Sequence, residues 1–349
     1  ESHVLSGRNP LPLLSIIRLT ARGVNSLAKS ATFRPRSSMS PQERSSIVCV
    51  SWNISFAEPS ALAPHSASKA IDAARLLRDE SLRSSPDIIA LQECSSSSWG
   101  TEVFGSSGYV SLGSQVAAHV HGYCDLLVRR ELAHNARRIT MQHLTSPLPS
   151  VAAVITLPNK TQIAVASNHL PHTAEGAPTR KIMSEIIMQI LSADCSNCVL
   201  LGDFNMRQKE DKVMEGLAGG GWIDVWKETG AEKSKKFTWN SRDNKYHGAD
   251  AFEFTARFDR CYVRGHDVTA RSFDMIGNRP IDGKAGDYLS DHFGIMVEVG
   301  VPSFSLDEKD GPATKKGSST GGGNKLGSGK TTAKGAIDLT EDSDCDEQK

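Results

Sequence analysis

The chain has 349 residues with 40 basic and 40 acidic side chains, so no net field draws it toward nucleic acid or a membrane surface. No apolar run approaches the ~20 residues of a membrane-crossing helix, which excludes a helical span. The seven cysteines are scattered, with Cys49 and Cys261 inside apolar runs, which fits reduced thiols packed as small core residues better than a disulfide framework.

Residues 2–42 carry several Arg and no acid, and the first Met is Met39. A lead-in over 1–46 is expected, either disordered or a targeting segment, because both share this composition. One domain is expected over 47–301. Residues 47–54 read as a buried strand and 66–80 as a helix with Ala70, Ile71, Ala74 and Leu77 on one face. Pro86 introduces a second strand at 87–92, and further strands fit 124–129, 151–157 and 162–167, the last two turning at Pro158 and Asn159. Residues 179–193 predict an amphipathic helix whose apolar stripe is Ile182, Ile186, Ile187, Ile190 and Leu191. Strands at 198–201, 258–264, 268–273 and 293–299 follow. Helices alternating with both hairpins and single strands do not fit an all-parallel sheet. They predict an α/β sandwich, helical layers covering two packed sheets. Cys195 and Cys198 form a lone Cys-x-x-Cys without the second ligand pair of a structural zinc site.

Polar groups recur where these strands run out: Asn53, Glu93, His169, Asp203 with Asn205, Asp259, and Asp291 with His292. Each alone is an ordinary turn or surface residue, but strand ends on a rigid sheet can aim side chains at one point. Together they hold what phosphodiester hydrolysis requires. Glu93 and Asp291 are the expected ligands of Mg²⁺, with Mn²⁺ as a substitute, because magnesium keeps several waters and takes only one or two carboxylates. Asp203 is expected to orient and deprotonate water, Asn53 and Asn205 to hold neighbouring oxygens, and His169 and His292 to donate to phosphoryl oxygens. Asp259 would accept from the other ring nitrogen of His292.

Ser51-Trp52-Asn53, Leu91-Gln92-Glu93, Gly202-Asp203-Phe204-Asn205 and Ser290-Asp291-His292 resemble the ordered motif set of the endonuclease/exonuclease/phosphatase superfamily. The resemblance implies a DNase I-like fold, a four-layer αββα sandwich of two packed mixed sheets flanked by helices. It also implies Mg²⁺-dependent in-line hydrolysis, which makes 47–301 a catalytic domain. Arg207, Trp222-Ile223-Asp224-Val225-Trp226, Phe237-Thr238-Trp239, Arg257-Phe258-Asp259-Arg260 and Arg271-Ser272-Phe273-Asp274 are similar to the branch that hydrolyses 5′-phosphotyrosyl bonds between DNA and a trapped topoisomerase. That likeness implies DNA contacts by Trp239, stacking on a base, and Arg207, binding phosphate. A packing role for Trp239 stands beside it. Phe204 replaces a Thr of that branch, and Pro171 with His172 replace an acid and a Ser. Pro171 restricts Leu170 and so bears on how His169 is presented.

Residues 302–349 turn to Lys, Gly, Ser and Thr and read as a flexible tail. Gly327-Ser328-Gly329-Lys330-Thr331 imitates a nucleotide-binding loop, but Asn324 stands where its first Gly belongs. Ile337-Asp338-Leu339-Thr340, followed by acids, resembles a SUMO-interacting motif, with a solvated acidic tail as the alternative. The expected partners are DNA 5′ ends bearing a tyrosyl adduct, the topoisomerase remnant and SUMO, without a membrane, for a monomer. A nuclear location follows from that substrate and tail, with cytoplasm and organelle left open. The competing functions are another phosphodiesterase of the superfamily (abasic-site endonuclease, deadenylase or phosphoinositide phosphatase) and a non-catalytic scaffold binding SUMO or DNA.

Overall fold

The structure is a computed structural model that describes residues 43–55, 67–116, 122–143, 146–217, 220–247, 252–281 and 288–306. The expected lead-in, apart from its last residues, the nucleotide-loop imitation and the motif Ile337-Asp338-Leu339-Thr340 lie outside the described residues. The first half of the chain gives β1 (Glu43–Asn53), α1 (Ala67–Leu82), β2 (Ile88–Cys94), α2 (Trp99–Phe104), β3 (Tyr109–Val116), β4 (Tyr123–Arg129) and α3 (Arg130–Ala133). Next come β5 (Ala136–Ile139), the short pair β6 (Gln142–His143) and β7 (Ser146–Pro147), β8 (Ser150–Thr156), β9 (Gln162–His169), α4 (Ala177–Asp194) and β10 (Cys198–Asp203). The remainder gives α5 (Asp211–Leu217), β11 (Trp222–Asp224), α6 (Val225–Glu228), β12 (Trp239–Asn240), β13 (Thr255–Ala256), β14 (Asp259–Arg264), β15 (Thr269–Ile276) and β16 (Gly294–Ser305).

One sheet runs β15-β16-β1-β2-β4-β3 and the other β11-β14-β10-β9-β8-β5. Within them β1 lies parallel to β2 and β9 parallel to β10, each pair joined through a helix, α1 or α4, as parallel neighbours require. The other pairings in the two sheets are antiparallel. Strand alternation then builds three apolar layers. Cys49, Ala90 and Leu126 of one sheet meet Val165, Val199 and Leu201 of the other. Behind the second sheet, Ile187, Met188 and Leu191 of α4 pack on Ala164, Leu200 and Tyr262. Behind the first, Leu77 of α1 and Phe104 of α2 cover Val50, Trp52 and Ile89. The result is the expected four-layer αββα sandwich.

Two details differ from the sequence reading. Ile182, placed in the apolar stripe of α4, is 54% exposed. The buried face includes Arg180 and Ser184 together with Ile187 and Leu191, because the Arg180 guanidinium is drawn inward by a carboxylate described below. The helices α2, α3, α5 and α6 and the strands β3, β5, β6, β7, β11, β12 and β13 were not foreseen.

The inward positions do not stay apolar along their whole length. Cys49 is followed two residues on by Ser51 and Asn53, Ala90 by Gln92, Val165 by Ser167 and His169, and Leu201 by Asp203, all buried except for the last traces of His169. Gln92 donates to Ser167 Oγ at 3.0 Å and to Ser51 Oγ at 3.3 Å, and Ser167 Oγ donates to Leu91 O at 3.1 Å. This satisfied polar layer links the sheets and separates the dry core from the open end of the sandwich. Gly202, just before Asp203, has φ +141°, and a Cβ there would stand 2.1 Å from Asn168 O on the neighbouring strand. Gly202→Ala is therefore expected to lower the unfolding free energy by more than about 1 kcal/mol in a denaturant titration. Unchanged stability would contradict this account of β9 against β10.

Candidate active site

Register brings the strand ends together. Asp203 is paired with His169 on one side and Asp259 on the other, while Asn53 ends β1 opposite Gln92 of β2. Plain alternation would send Glu93, next to the inward Gln92, to the opposite face. Instead the β2–β4 ladder shifts register between Leu91 and Cys94, and Glu93 takes φ +57°. A left-handed Glu costs roughly 1–2 kcal/mol, and the bulge turns its carboxylate to the cluster. Gly122 makes room for it, since a Cβ there would lie 2.7 Å from the Glu93 Cα.

Asp203 sits at the centre and is fully buried. Its Oδ2 accepts from Asn53 Nδ2 at 3.0 Å and Asn205 Nδ2 at 3.2 Å, and its Oδ1 accepts from the Asn205 main-chain N–H at 2.7 Å. The same Asn53 amide donates to Glu93 Oε1 at 2.9 Å. His169 Nε2 lies 3.6 Å from both Glu93 Oε1 and Asp203 Oδ2, and His292 Nε2 lies 3.7 Å from Asp203 Oδ2. The other ring nitrogen of His292 meets Asp259 Oδ2 at 2.8 Å, and Asp259 is aligned by its own N–H donating to Thr238 Oγ1 at 3.0 Å. Ser290 Oγ donates to Asn53 O at 2.7 Å and accepts from His292 N, which ties the loop before β16 to the end of β1. Trp52 Nε1 donates to His292 O at 3.0 Å from beneath. The structure thus brings Asn53, Glu93, His169, Asp203, Asn205, Asp259, Asp291 and His292 to one end of the sandwich.

The charges follow from this crowding. Burial, with Asp291 and Asp203 nearby, pushes the Glu93 carboxyl up to about 7 despite the Asn53 hydrogen bond and His292. Burial opposes protonation of His292, but Asp259, Asp203 and Asp291 outweigh it and raise the imidazole well above its ordinary value. For Asp291 burial acts upward, yet the hydrogen bond from His247 and the charge of His292 hold it below the usual carboxylate range.

Ligand-type atoms of Asp203, Asp259 and His292 lie within 4.8 Å of one another. That trio suits a cation poorly, because amide N–H groups aim at Asp203 and the His292–Asp259 contact is already made. Glu93 and Asp291 fit a hard divalent ion better. Burial first, and then the charges of Asp291 and Asp203, disfavour a bare Glu93 carboxylate, a cost a cation would relieve, and each carboxylate keeps free lone pairs.

Three further residues were missed from sequence. His247 reaches Asp291 Oδ2 through Nε2 at 2.7 Å, and a lone His in a polar turn gave no signal for it. Arg180, wholly buried, makes a bidentate pair with Glu210 at 2.9 and 2.7 Å and donates to Pro171 O and Thr173 O at 2.8 and 2.6 Å. The pair thereby clamps the loop after His169 to the loop after Asn205.

Trp239 does not present itself as a free stacking platform. Its ring stacks on His247 at 5.7 Å and on Phe254 at 5.6 Å, and meets His292 edge-on at 4.9 Å. These contacts make Trp239, itself half-buried, a post behind two imidazoles. Arg207 is exposed and lines a cavity of about 250 Å³ with Lys236, Phe237, Phe254 and Phe258. Phe258 connects that cavity to the site, its ring 6.1 Å from that of His292. Glu210→Ala leaves Arg180 buried without its partner and is expected to cost about 3–5 kcal/mol of stability, read from urea unfolding. A loss within error of zero would show that the clamp bears no weight.

The profile of the Endonuclease/Exonuclease/phosphatase family matches residues 50–292. Tyrosyl-DNA phosphodiesterase 2 of Homo sapiens is 25% identical over 226 residues, 62% of this chain and 60% of that protein. The chain therefore spans less than two thirds of the human relative's length. The Bos taurus protein of the same name is 23% identical over 296 residues, 82% of this chain and 77% of that one. A crystal structure of the D. rerio protein complexed with single-strand DNA product superposes with a TM-score of 0.60 at 20% identity, covering 74% of this chain and all of that one. The profile match opens within β1, closes on His292 and takes in most of the chain, so the chain belongs to the Endonuclease/Exonuclease/phosphatase family.

Proposed function

We propose that this chain is a metal-dependent phosphodiesterase that hydrolyses the bond between a tyrosine and a DNA 5′ phosphate. One observation carries the reading: a fully buried Asp203 carboxylate with two amides donating to it and two imidazoles 3.6 and 3.7 Å away, beside the acids Glu93 and Asp291. The similarity to relatives named for tyrosyl-DNA hydrolysis supports the choice of substrate.

Glu93 and Asp291 would hold Mg²⁺, or Mn²⁺ in its place, and the bound ion would neutralise charge on the phosphoryl and leaving oxygens. Asp203, its oxygens fixed by Asn53 and Asn205, orients a water and takes its proton. His169 and His292 bring Nε2 to 3.6 and 3.7 Å from Asp203 Oδ2 and would donate to phosphoryl oxygens beside it. Asp259 occupies Nδ1 of His292 and so commits the Nε2 proton to the substrate. Tyrosine ionises near pH ~10, so the phenolate departs without a strong general acid beside it. The DNA strand runs along the cavity, with Arg207 and Lys236 at phosphates and Phe237 and Phe254 offering ring surface to bases. In this reading the chain works in nuclear repair of ends blocked by a topoisomerase remnant. SUMO binding through Ile337, Asp338, Leu339 and Thr340 would recruit it there.

A 5′-tyrosyl oligonucleotide tests the reading. Tyrosine release with Mg²⁺ and none with chelator is expected, with Asp203→Asn and His292→Ala each slower by at least about 100-fold. Full turnover by Asp203→Asn, or faster hydrolysis of abasic-site DNA, poly(A) or a phosphoinositide, would overturn it. Arg207→Ala is expected to weaken oligonucleotide binding and to flatten the log affinity against log salt plot by about 0.7–1. An unaltered slope would remove Arg207 from the phosphate path.

A further inference from the structure

We infer that His247 is a positioning residue for the cation, holding the Asp291 carboxylate in the orientation that presents it to the ion shared with Glu93. The inference rests on the proposed reading of Glu93 and Asp291 as cation ligands.

Asp291 ends no strand and lies in the loop before β16, so its side chain has to be fixed by contacts rather than by sheet geometry. Three contacts do this, one of them a hydrogen bond from the Ser55 side chain. His247 Nε2 meets Oδ2 at 2.7 Å, and Ser290 Oγ lies 3.3 Å from Oδ1. The Ser290 hydroxyl has a shorter acceptor, Asn53 O at 2.7 Å, which leaves His247 and Ser55 to hold the carboxylate, His247 from an imidazole that is itself fixed by ring contacts. A carboxylate oxygen has two lone pairs, so a single N–H donor at Oδ2 still leaves both oxygens able to face an ion.

The imidazole is itself held. It stacks on Trp239 with centroids 5.7 Å apart and planes 27° from parallel, and Tyr246 meets it edge-on at 5.4 Å. Trp239 also forms a backbone bridge with His292, so the turn that carries His247 moves with the site. This gives Trp239 its place: one indole supports His292 at the phosphate side and His247 at the ion side. The opposing possibility is that His247 merely stands in for positive charge beside Asp291 and is expelled when an ion arrives. The two differ in sign. A positioning donor raises ion affinity, whereas a competitor lowers it.

Mn²⁺ is titrated into the full chain and free Mn²⁺ is followed by electron paramagnetic resonance, for the wild type, Glu93→Ala, His247→Ala and His247→Gln, with melting temperatures recorded for each. The expected result is a site lost in Glu93→Ala and weakened about 10- to 100-fold in His247→Ala. His247→Gln, which keeps an N–H donor at similar reach, is expected within a few-fold of the wild type. Unchanged or tighter binding by a normally melting His247→Ala would overturn the inference while leaving the underlying site intact. Wild-type binding that survives Glu93→Ala would overturn both the site and the inference.

Discussion

A carboxylate buried where the central strands end governs the open end of this sandwich. Burying Asp203 unpaired would cost several kcal/mol, so the surrounding strands have to deliver donors to it. Asn53 comes from β1, Asn205 from the turn after β10, His169 from β9 and His292 from the loop before β16. Each can reach it in only one register, because a one-residue slip turns a side chain to the opposite face. The need to satisfy Asp203 and the pairing of the central strands are thus the same constraint seen from two sides. The Gln92–Ser167–Ser51 layer below it lets a polar site sit directly on a dry core.

Much of this was legible in the sequence because buried strands announce themselves as apolar runs, and their ends as abrupt polar residues. Asn53, His169 and Asp203 lie on the continued inward alternation of β1, β9 and β10, so strand periodicity alone aims them. Glu93 was legible only as a motif, since its direction depends on a bulge and a left-handed backbone that alternation does not encode. Ile182 was misplaced for a related reason. Hydrophobic periodicity scores apolarity, whereas the face of α4 is set by Arg180, whose pairing with Glu210 is invisible until α4 and the 3₁₀ turn after Arg207 are in space. Trp239 and His247 sit on a turn where aromatic and basic residues serve equally for packing or for contact, and their ring contacts are visible only in space.

The departures from the related branch are absorbed by packing. Phe204 points away from Asp203 into the layer under α4, where it meets Tyr262 edge-on at 5.2 Å, so the replacement of Thr leaves the flanking Asp203 and Asn205 in place. Pro171 removes a main-chain donor after His169, yet its carbonyl accepts from Arg180, and Leu170 N donates to Asp203 O at 2.9 Å. His169 is therefore held from both ends of its turn. Arg257 and Arg260, which line the cavity, also support the site. Their guanidinium groups bind Asp224 at 2.8 Å and Asp211 at 2.6 Å and fix the strand that carries Asp259.

The central claim is that these groups gather round one phosphate and one ion. A crystal structure of the full chain with Mn²⁺ and a 5′-phosphorylated oligonucleotide, read by anomalous scattering, tests it most directly. The account predicts the ion at Glu93 and Asp291, with the 5′ phosphate contacting His169, His292 and Asn205. An ion among Asp203, Asp259 and His292, or a phosphate bound away from both imidazoles, would contradict it.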